Sequence, residues 1–277
     1  MDLYFEMYSG IAGDMTIAAL LDLGASKDKL IEGINSLGLS GFDLVFDRTK
    51  KNGIDAYNFD VILKGCGHHH DHGHNHDHSH SNDHSHNHKD GHDHHHNHSH
   101  DHVHRNLEAI EKIINSTDLN DNIKKNSLGI FDIIGDSEAK AHGIAKSEVH
   151  FHEVGAIDSI IDIVGTCILL DDLGVENIYF SDLFEGHGYQ MCAHGPMPIP
   201  VPAVANILAN SDISLNFIGE EGEHITPTGA AIVKYFYKKA PESFKIKKIG
   251  LGAGNKDFEK TTNILRVMEI ERDKKKQ

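Results

Sequence analysis

Cysteine is scarce in this 277-residue chain: only Cys66, Cys167 and Cys192 occur, odd in number, far apart and never as CxxC. That excludes a disulfide framework and a Cys-rich structural zinc site, and it suits a reducing cytoplasm. Basic residues are also in deficit, 26 against 42 acidic ones, for a formal charge of -16 with histidines neutral. Nucleic acid is therefore excluded as a main partner, because phosphate neutralisation needs Lys and Arg, whereas cations are favoured. No run of 18 apolar residues occurs, and the N-terminal MDLYFEMYSG has neither a basic n-region nor an apolar h-region. A membrane span and an export signal are therefore not expected. Neither a Walker loop nor GxGxxG is present.

Histidine is abundant. Nineteen of the 25 lie in one tract: His68, His69, His70, His72, His74, His76, His78, His80, His84, His86, His88, His92, His94, His95, His96, His98, His100, His102 and His104. Between Gly65 and Arg105 nearly every other residue is Asp, Asn, Ser or Gly, and Val103 is the only apolar residue after Cys66. Such a composition cannot offset the entropy cost of ordering, so 65–105 is expected to be a disordered insertion. Imidazoles with interleaved carboxylates suit nickel, copper, zinc or cobalt, bound loosely and at many places. A solubilising linker or a purification tag is the bland alternative; the internal position and mixed composition argue against a tag. About 40 flexible residues have an end-to-end distance on the order of 35 Å, enough to swing past a folded body.

The body, 1–64 and 106–277, reads as α/β, a mixed α+β fold. Apolar patterning predicts strands over LYFEMY, FDLVFDRTK, AYNFDVIL and NIYFSDL, and near Lys245–Gly250 and Ile264–Ile270. Asn52-Gly53 predicts a hairpin turn. Helices are expected over Met15–Leu23 (closed by Gly24), Asp28–Leu37, Leu107–Ile114, Ile123–His142, the stretch up to Gly174, Ala203–Ala209 and Gly229–Lys238.

Three groups of body residues carry chemistry. In Glu148-Val149-His150-Phe151-His152-Glu153, strand alternation would put Glu148, His150 and His152 on one side. Asp158 and Asp162 follow at i,i+4, a like-charge pair that a cation would relieve. Together they are the candidate first shell for a divalent ion, or His152 and Glu153 a base and its orienter. In Ser9-Gly10-Ile11-Ala12-Gly13-Asp14, glycines permit close backbone approach and a helix N-terminus offers N–H groups to an anion; Asp14 could cap the helix or bind metal. The loops Cys192–Pro198, Glu223–Gly229 and Gly250–Gly254, the last followed by Asn255-Lys256-Asp257, each read as a plain turn, and together they point to a shared cleft. Thr228 is the expected cap of the helix from Gly229.

Five stretches, YFEMYSGIAGDM, EVHFHEVGAIDSIIDIVG, CAHGPMPIPVPA, ITPTGAAI and GLGAGNKD, in this order and with a His-rich insertion, resemble the LarC nickel insertion family. The resemblance covers nearly the whole chain. It implies insertion of nickel(II) into pyridinium-3,5-bisthiocarboxylic acid mononucleotide, forming two nickel–sulfur bonds and one nickel–carbon bond for the cofactor of lactate racemase. It also implies consumption of CTP with Mn2+ or Mg2+. Ring metallation expels a proton from carbon, for which His150, His152, Glu153 and Asp14 are the candidate acceptors. Ser9, Gly10, Gly13, Thr226 and Thr228 are the candidate nucleotide-binding residues. The resemblance stops short of the C-terminal domain associated with CTP. A separately encoded or frameshifted C-terminal partner is therefore expected, beside lactate racemase maturation proteins and a homo-oligomeric state. The alternatives are a non-catalytic nickel or zinc store or metallochaperone, and a dinuclear metal hydrolase at the His150–Asp162 cluster.

Overall fold

The computed structural model describes residues 1–64, 105–151, 156–192 and 195–272. The histidine tract, His152, Glu153 and His194 lie outside the described residues. Among the described residues there are seven α-helices and twelve strands, and no helix is long and apolar enough to cross a membrane.

Six strands form the central sheet, in the order β2 (Phe42–Lys51), β3 (Ile54–Leu63), β11 (Phe244–Ala253), β12 (Ile264–Arg272), β1 (Asp2–Glu6) and β6 (Asn177–Phe180). β1 is parallel to β6 and antiparallel to β12, β12 is antiparallel to β11, and β11 is parallel to β3. Thus β1, β3, β6 and β11 all point one way. The β2–β3 hairpin turns at Asn52 and Gly53, both at positive φ (49° and 82°), the two-residue turn their sequence predicts.

Helices α1 (Gly13–Leu23), α2 (Lys27–Ser36), α5 (Ile157–Asp172) and α7 (Pro227–Phe236) share one core with the sheet. α4 (Asp121–His142) packs on α5 and α7 and contacts α3 (Leu107–Asn115) and α6 (Pro202–Leu208). α1 is buried along almost its whole length and ends where Gly24 turns left-handed. Its close seat on the sheet depends on two glycines: a Cβ at Gly250 or Gly252 would stand 2.2 Å from the Ala19 carbonyl or 2.0 Å from that of Met15. The Gly250–Gly254 stretch is therefore mostly β11, and its glycines serve close packing rather than the expected turn.

Three shorter pairings complete the body: β10 (Leu215–Glu221) with β7 (Leu183–His187), β4 (Arg105–Asn106) with β5 (His150–Phe151), and β8 (Tyr189–Cys192) with β9 (Gly195–Pro198). The last sets two short strands where the sequence pattern predicts none. The expected strand from Glu148 to Glu153 is described only as His150–Phe151; Glu148 sits in a 3-10 turn, Lys146–Glu148, where its carboxylate accepts from the Ala145 N–H. It is not on one strand face with His150. The N-cap of α1 is Ala12, not Asp14, and that of α7 is Thr226, whose hydroxyl accepts from the Gly229 N–H, not Thr228. Pro227 occupies the first helical position, which needs no N–H donor.

Candidate functional site

Strands that point one way leave a crevice at their carboxyl ends, where ligands bind in open α/β sheets. Here the end of β1 leads through Ser9–Ala12 into α1, β3 ends beside Asp60 and Val61, and β11 leads to Asn255. A cleft of about 400 Å³ opens between them, lined also by the first turns of α5 and α7 and by β8. Its carboxylates are Asp14, Asp60, Asp158, Asp162 and Glu223, and no Lys or Arg is among the described lining residues.

Each aspartate is held by its element. Asp14 and Asp158 are the second residues of α1 and α5. The Asp14 carboxylate accepts from the Met15 N–H at 2.7 Å. Asp162 lies one helical turn after Asp158 and packs on Gly13, where any Cβ would come within 2.5 Å of its Cβ and Oδ2. Glycine at 13 thus lets α1 and α5 bring Asp14 and Asp162 together.

Burial pushes Asp14 up to about 6, with Asp60 and Asp158 adding to the rise. Asp162 is raised well above the ordinary carboxylate range, by burial first and then by Asp14, Asp158 and Asp60. Asp158 is raised as well, chiefly by desolvation, although part of its surface stays open. Enclosed like charges disfavour ionisation, and a cation offsets that cost.

Behind the cleft, the loop before α7 is fixed by His224. Its ring stacks on Phe258 with centroids 3.9 Å apart, and its nitrogens lie 3.0 Å from the Gly222 carbonyl and 3.2 Å from the Thr261 hydroxyl. Burial lowers its pKa, which keeps the ring neutral. The His224 carbonyl accepts from the Ile11 N–H, and the buried Glu185 carboxylate accepts from the His224 N–H. Gly10, at φ 83°, is required there, since a Cβ would stand 2.0 Å from the His224 oxygen.

The structure therefore gathers Gly13, Asp14, Asp158, Asp162, Thr226 and Thr228 at one cleft. Ser9 and Gly10 do not line it: Ser9 is buried with its hydroxyl 3.4 Å from that of Thr262, and Gly10 faces His224. His150 is exposed on β5, apart from the described lining residues. Among the described residues, no group of three or more His, Cys, Asp or Glu side chains is arranged to hold a metal ion. Glu223 and Asn255 line the cleft from two of the loops expected about it, although neither was assigned a role, whereas Asp60 was not expected at all. Asp60 alternates with Phe59 and Val61 as any outward strand residue does, so only its position at the end of β3 reveals it.

Residues 3–277 match a family model described as nickel insertion protein. A pyridinium-3,5-bisthiocarboxylic acid mononucleotide nickel insertion protein of Alkaliphilus metalliredigens is 47% identical over 272 residues, 97% of this chain and 60% of that relative. Its namesake in Clostridium acetobutylicum is 47% identical over 270 residues, 96% of this chain and 63% of the relative. A putative nickel insertion protein of Geobacter sp. is 38% identical over 271 residues, 97% and 61% respectively. The chain thus spans about 60% of the length of these curated relatives. No solved structure matches.

Proposed function

We propose a function from one premise: the chain belongs to the nickel insertion protein family. Its body takes up nickel(II) as a substrate in the carboxylate cleft and supports its insertion into pyridinium-3,5-bisthiocarboxylic acid mononucleotide, the compound named in its relatives. The reaction is that of a nickel chelatase or cyclometallase, of the lyase class. The histidine tract, His68 to His104, supplies the metal by ligand exchange. CTP with Mn2+ or Mg2+ acts together with the portion of the relatives that this chain does not span.

The observation that supports this most is the lining of the cleft: five carboxylates and no Lys or Arg among the described lining residues. Such a cleft repels an anionic nucleotide until a divalent ion neutralises it, so metal enters first and nucleotide second. Asp14, raised to about 6 before any metal enters and brought down again by a bound cation, is one candidate to accept the ring proton. His150, His152 and Glu153 are the other candidates for that role. Thr226 and Thr228, at the start of α7, face the same cleft for the phosphate or ribose.

Calorimetric titration of nickel into the chain lacking residues 66–104 tests this. One site is expected to remain and to be lost in Asp162→Asn. If the tract-deleted chain binds no nickel, the body has no metal site. That outcome would favour the second reading, a nickel or zinc store, which the lack of a ready metal group among the described residues also favours.

A further inference from the structure

Between β11 and β12 the chain makes a loop, residues 254–263, that has no regular structure and is nonetheless fixed along its length. At its start the ammonium of Lys51, 9% exposed, donates to the Asn255 and Lys256 carbonyls at 3.3 and 3.1 Å and to the Asp257 carboxylate at 2.6 Å. An ammonium has three donors, a buried one must satisfy them, and these three oxygens do so. The Asn263 side-chain amide donates to the Lys256 carbonyl at 2.7 Å. Farther along, Phe258 stacks on His224, the buried Glu220 carboxylate accepts from the Glu259 and Lys260 N–H groups, and the Thr261 hydroxyl meets the His224 ring. Ordering so many residues costs entropy that a plain connection need not bear, and loops held rigidly by a scaffold are where binding side chains concentrate.

Two side chains of this loop reach the cleft. Asn255 lines it. Lys256 stands at its lip: the ammonium donates to Gln190 Oε1 at 3.3 Å and lies 3.9 Å from the Glu223 carboxylate, and both partners are lining residues. The contrast with Lys51 lies in what is left over. Lys256 is half exposed, its hydrogen bond to Gln190 is long and its ion pair is loose, so donors remain for a ligand.

We propose that Lys256 is the anchor for the phosphate of the mononucleotide, holding that group at the lip of the cleft while the ring reaches the metal among the carboxylates. This rests on the reading under Proposed function and adds to it the residue that takes the anionic end of the nucleotide. The compound named in the relatives carries two thiocarboxylates and a phosphate. It is therefore anionic, and the acidic floor repels it wherever its charge is not compensated. The thiocarboxylates are compensated at the metal, since their sulfurs become nickel ligands in the reaction that the resemblance implies. The phosphate has no such partner and needs a cation of this chain. No Lys or Arg is among the described lining residues, so the requirement falls on the lip, where the pinned loop sets Lys256.

The probes are nicotinic acid mononucleotide, a pyridinium carboxylate that carries the phosphate, and nicotinic acid riboside, the same molecule without it. Each is titrated calorimetrically into the nickel-loaded full chain. Wild type is expected to prefer the mononucleotide, and Lys256→Ala to lose about three- to tenfold of that affinity, the range for a charge-assisted contact half open to solvent. Lys256→Arg should stay within about threefold of wild type. Riboside affinity should be the same in all three chains, and the loss should shrink as salt is raised. A wild type that binds the mononucleotide no more tightly than the riboside overturns the anchor, as does equal mononucleotide affinity in wild type and Lys256→Ala. An equal loss for the riboside overturns it too, because Lys256 would then shape the cleft without binding phosphate. So does a larger effect of Lys256→Ala on CTP, titrated alongside, which would assign the cation to a different phosphate. If Asp162→Asn weakens the mononucleotide and Lys256→Ala does not, the anchor alone fails. If Lys256→Ala weakens it and Asp162→Asn does not, the phosphate contact stands and the reading of the cleft as the metal site fails.

Discussion

Asp14→Asn is expected to stabilise the metal-free protein at pH 7.5 and to leave it nearly unchanged near pH 4. The native carboxyl titrates at about 6 against an ordinary 3.8, with burial as the first cause. Below 3.8 the group is protonated in folded and unfolded chains alike, and stability is not reduced. As pH rises through the native value, the unfolded chain releases its proton freely while the folded one keeps it or carries an enclosed charge. Stability contributed by the raised value is therefore lost between about pH 4 and 6. A shift of roughly two units costs about 3 kcal/mol at full weight, and about 2 kcal/mol after solvent at the cleft mouth is discounted. Asparagine removes the charge and keeps an oxygen for the Met15 N–H. For a domain of this size, about 2 kcal/mol corresponds to a Tm rise of about 4–8 °C. Thermal unfolding followed by circular dichroism in chelator at the two pH values measures it. A variant less stable than wild type at pH 7.5, or equally stabilised at both, refutes the account of the cleft as like charges awaiting a cation. Saturating nickel should reverse the ranking, because only the wild type then regains its partner.

Thr226→Ala should cost about 1 kcal/mol in urea unfolding through loss of the α7 cap, whereas Thr228→Ala should leave that cap intact; a wild-type midpoint for the former would reject Thr226 as the cap. Gly13→Ala should displace Asp162 and weaken nickel binding by the tract-deleted chain at least about tenfold, read calorimetrically, and an unchanged isotherm would contradict the packing of α1 on α5. Gly252→Ala forces the Met15 carbonyl from the sheet and should lower stability by about 3 kcal/mol or more, seen as a fall in Tm. Changing His150 to Ala should impair nickel insertion, assayed by product absorbance with the missing portion of the relatives supplied, more than any two substitutions inside 68–104, whose many imidazoles substitute for one another.

Local signals were enough for elements that carry their own punctuation. Gly24 closes α1, Asn52-Gly53 turns the first hairpin, and α1, α2, β2 and β3 lie within a few residues of their expected bounds. What escaped was set by distant partners. Gly250 and Gly252 look like turn residues until α1 is placed against them. Tyr189–Pro198 looks irregular because two of its residues are prolines, which edge positions of a two-stranded hairpin tolerate. β10 carries Gly219 and a register shift, which break its alternation. At the site, Asp14, Asp158 and Asp162 were legible as acidic residues at helix starts. Asp60 was not, since nothing in AYNFDVIL says that β3 ends where α1 and α5 begin.

The segment that bears most of the histidines leaves the body just after β3, two residues beyond Val61 at the cleft, and rejoins it at β4, which pairs with His150–Phe151. Tethered at both ends, any ion it carries is delivered within one molecule. Were that segment to supply the metal as proposed, its effective concentration at the body would be of order millimolar, as for a short flexible linker. Supply would then be a first-order process, indifferent to dilution, which a detached histidine-rich peptide at micromolar concentration would not reproduce.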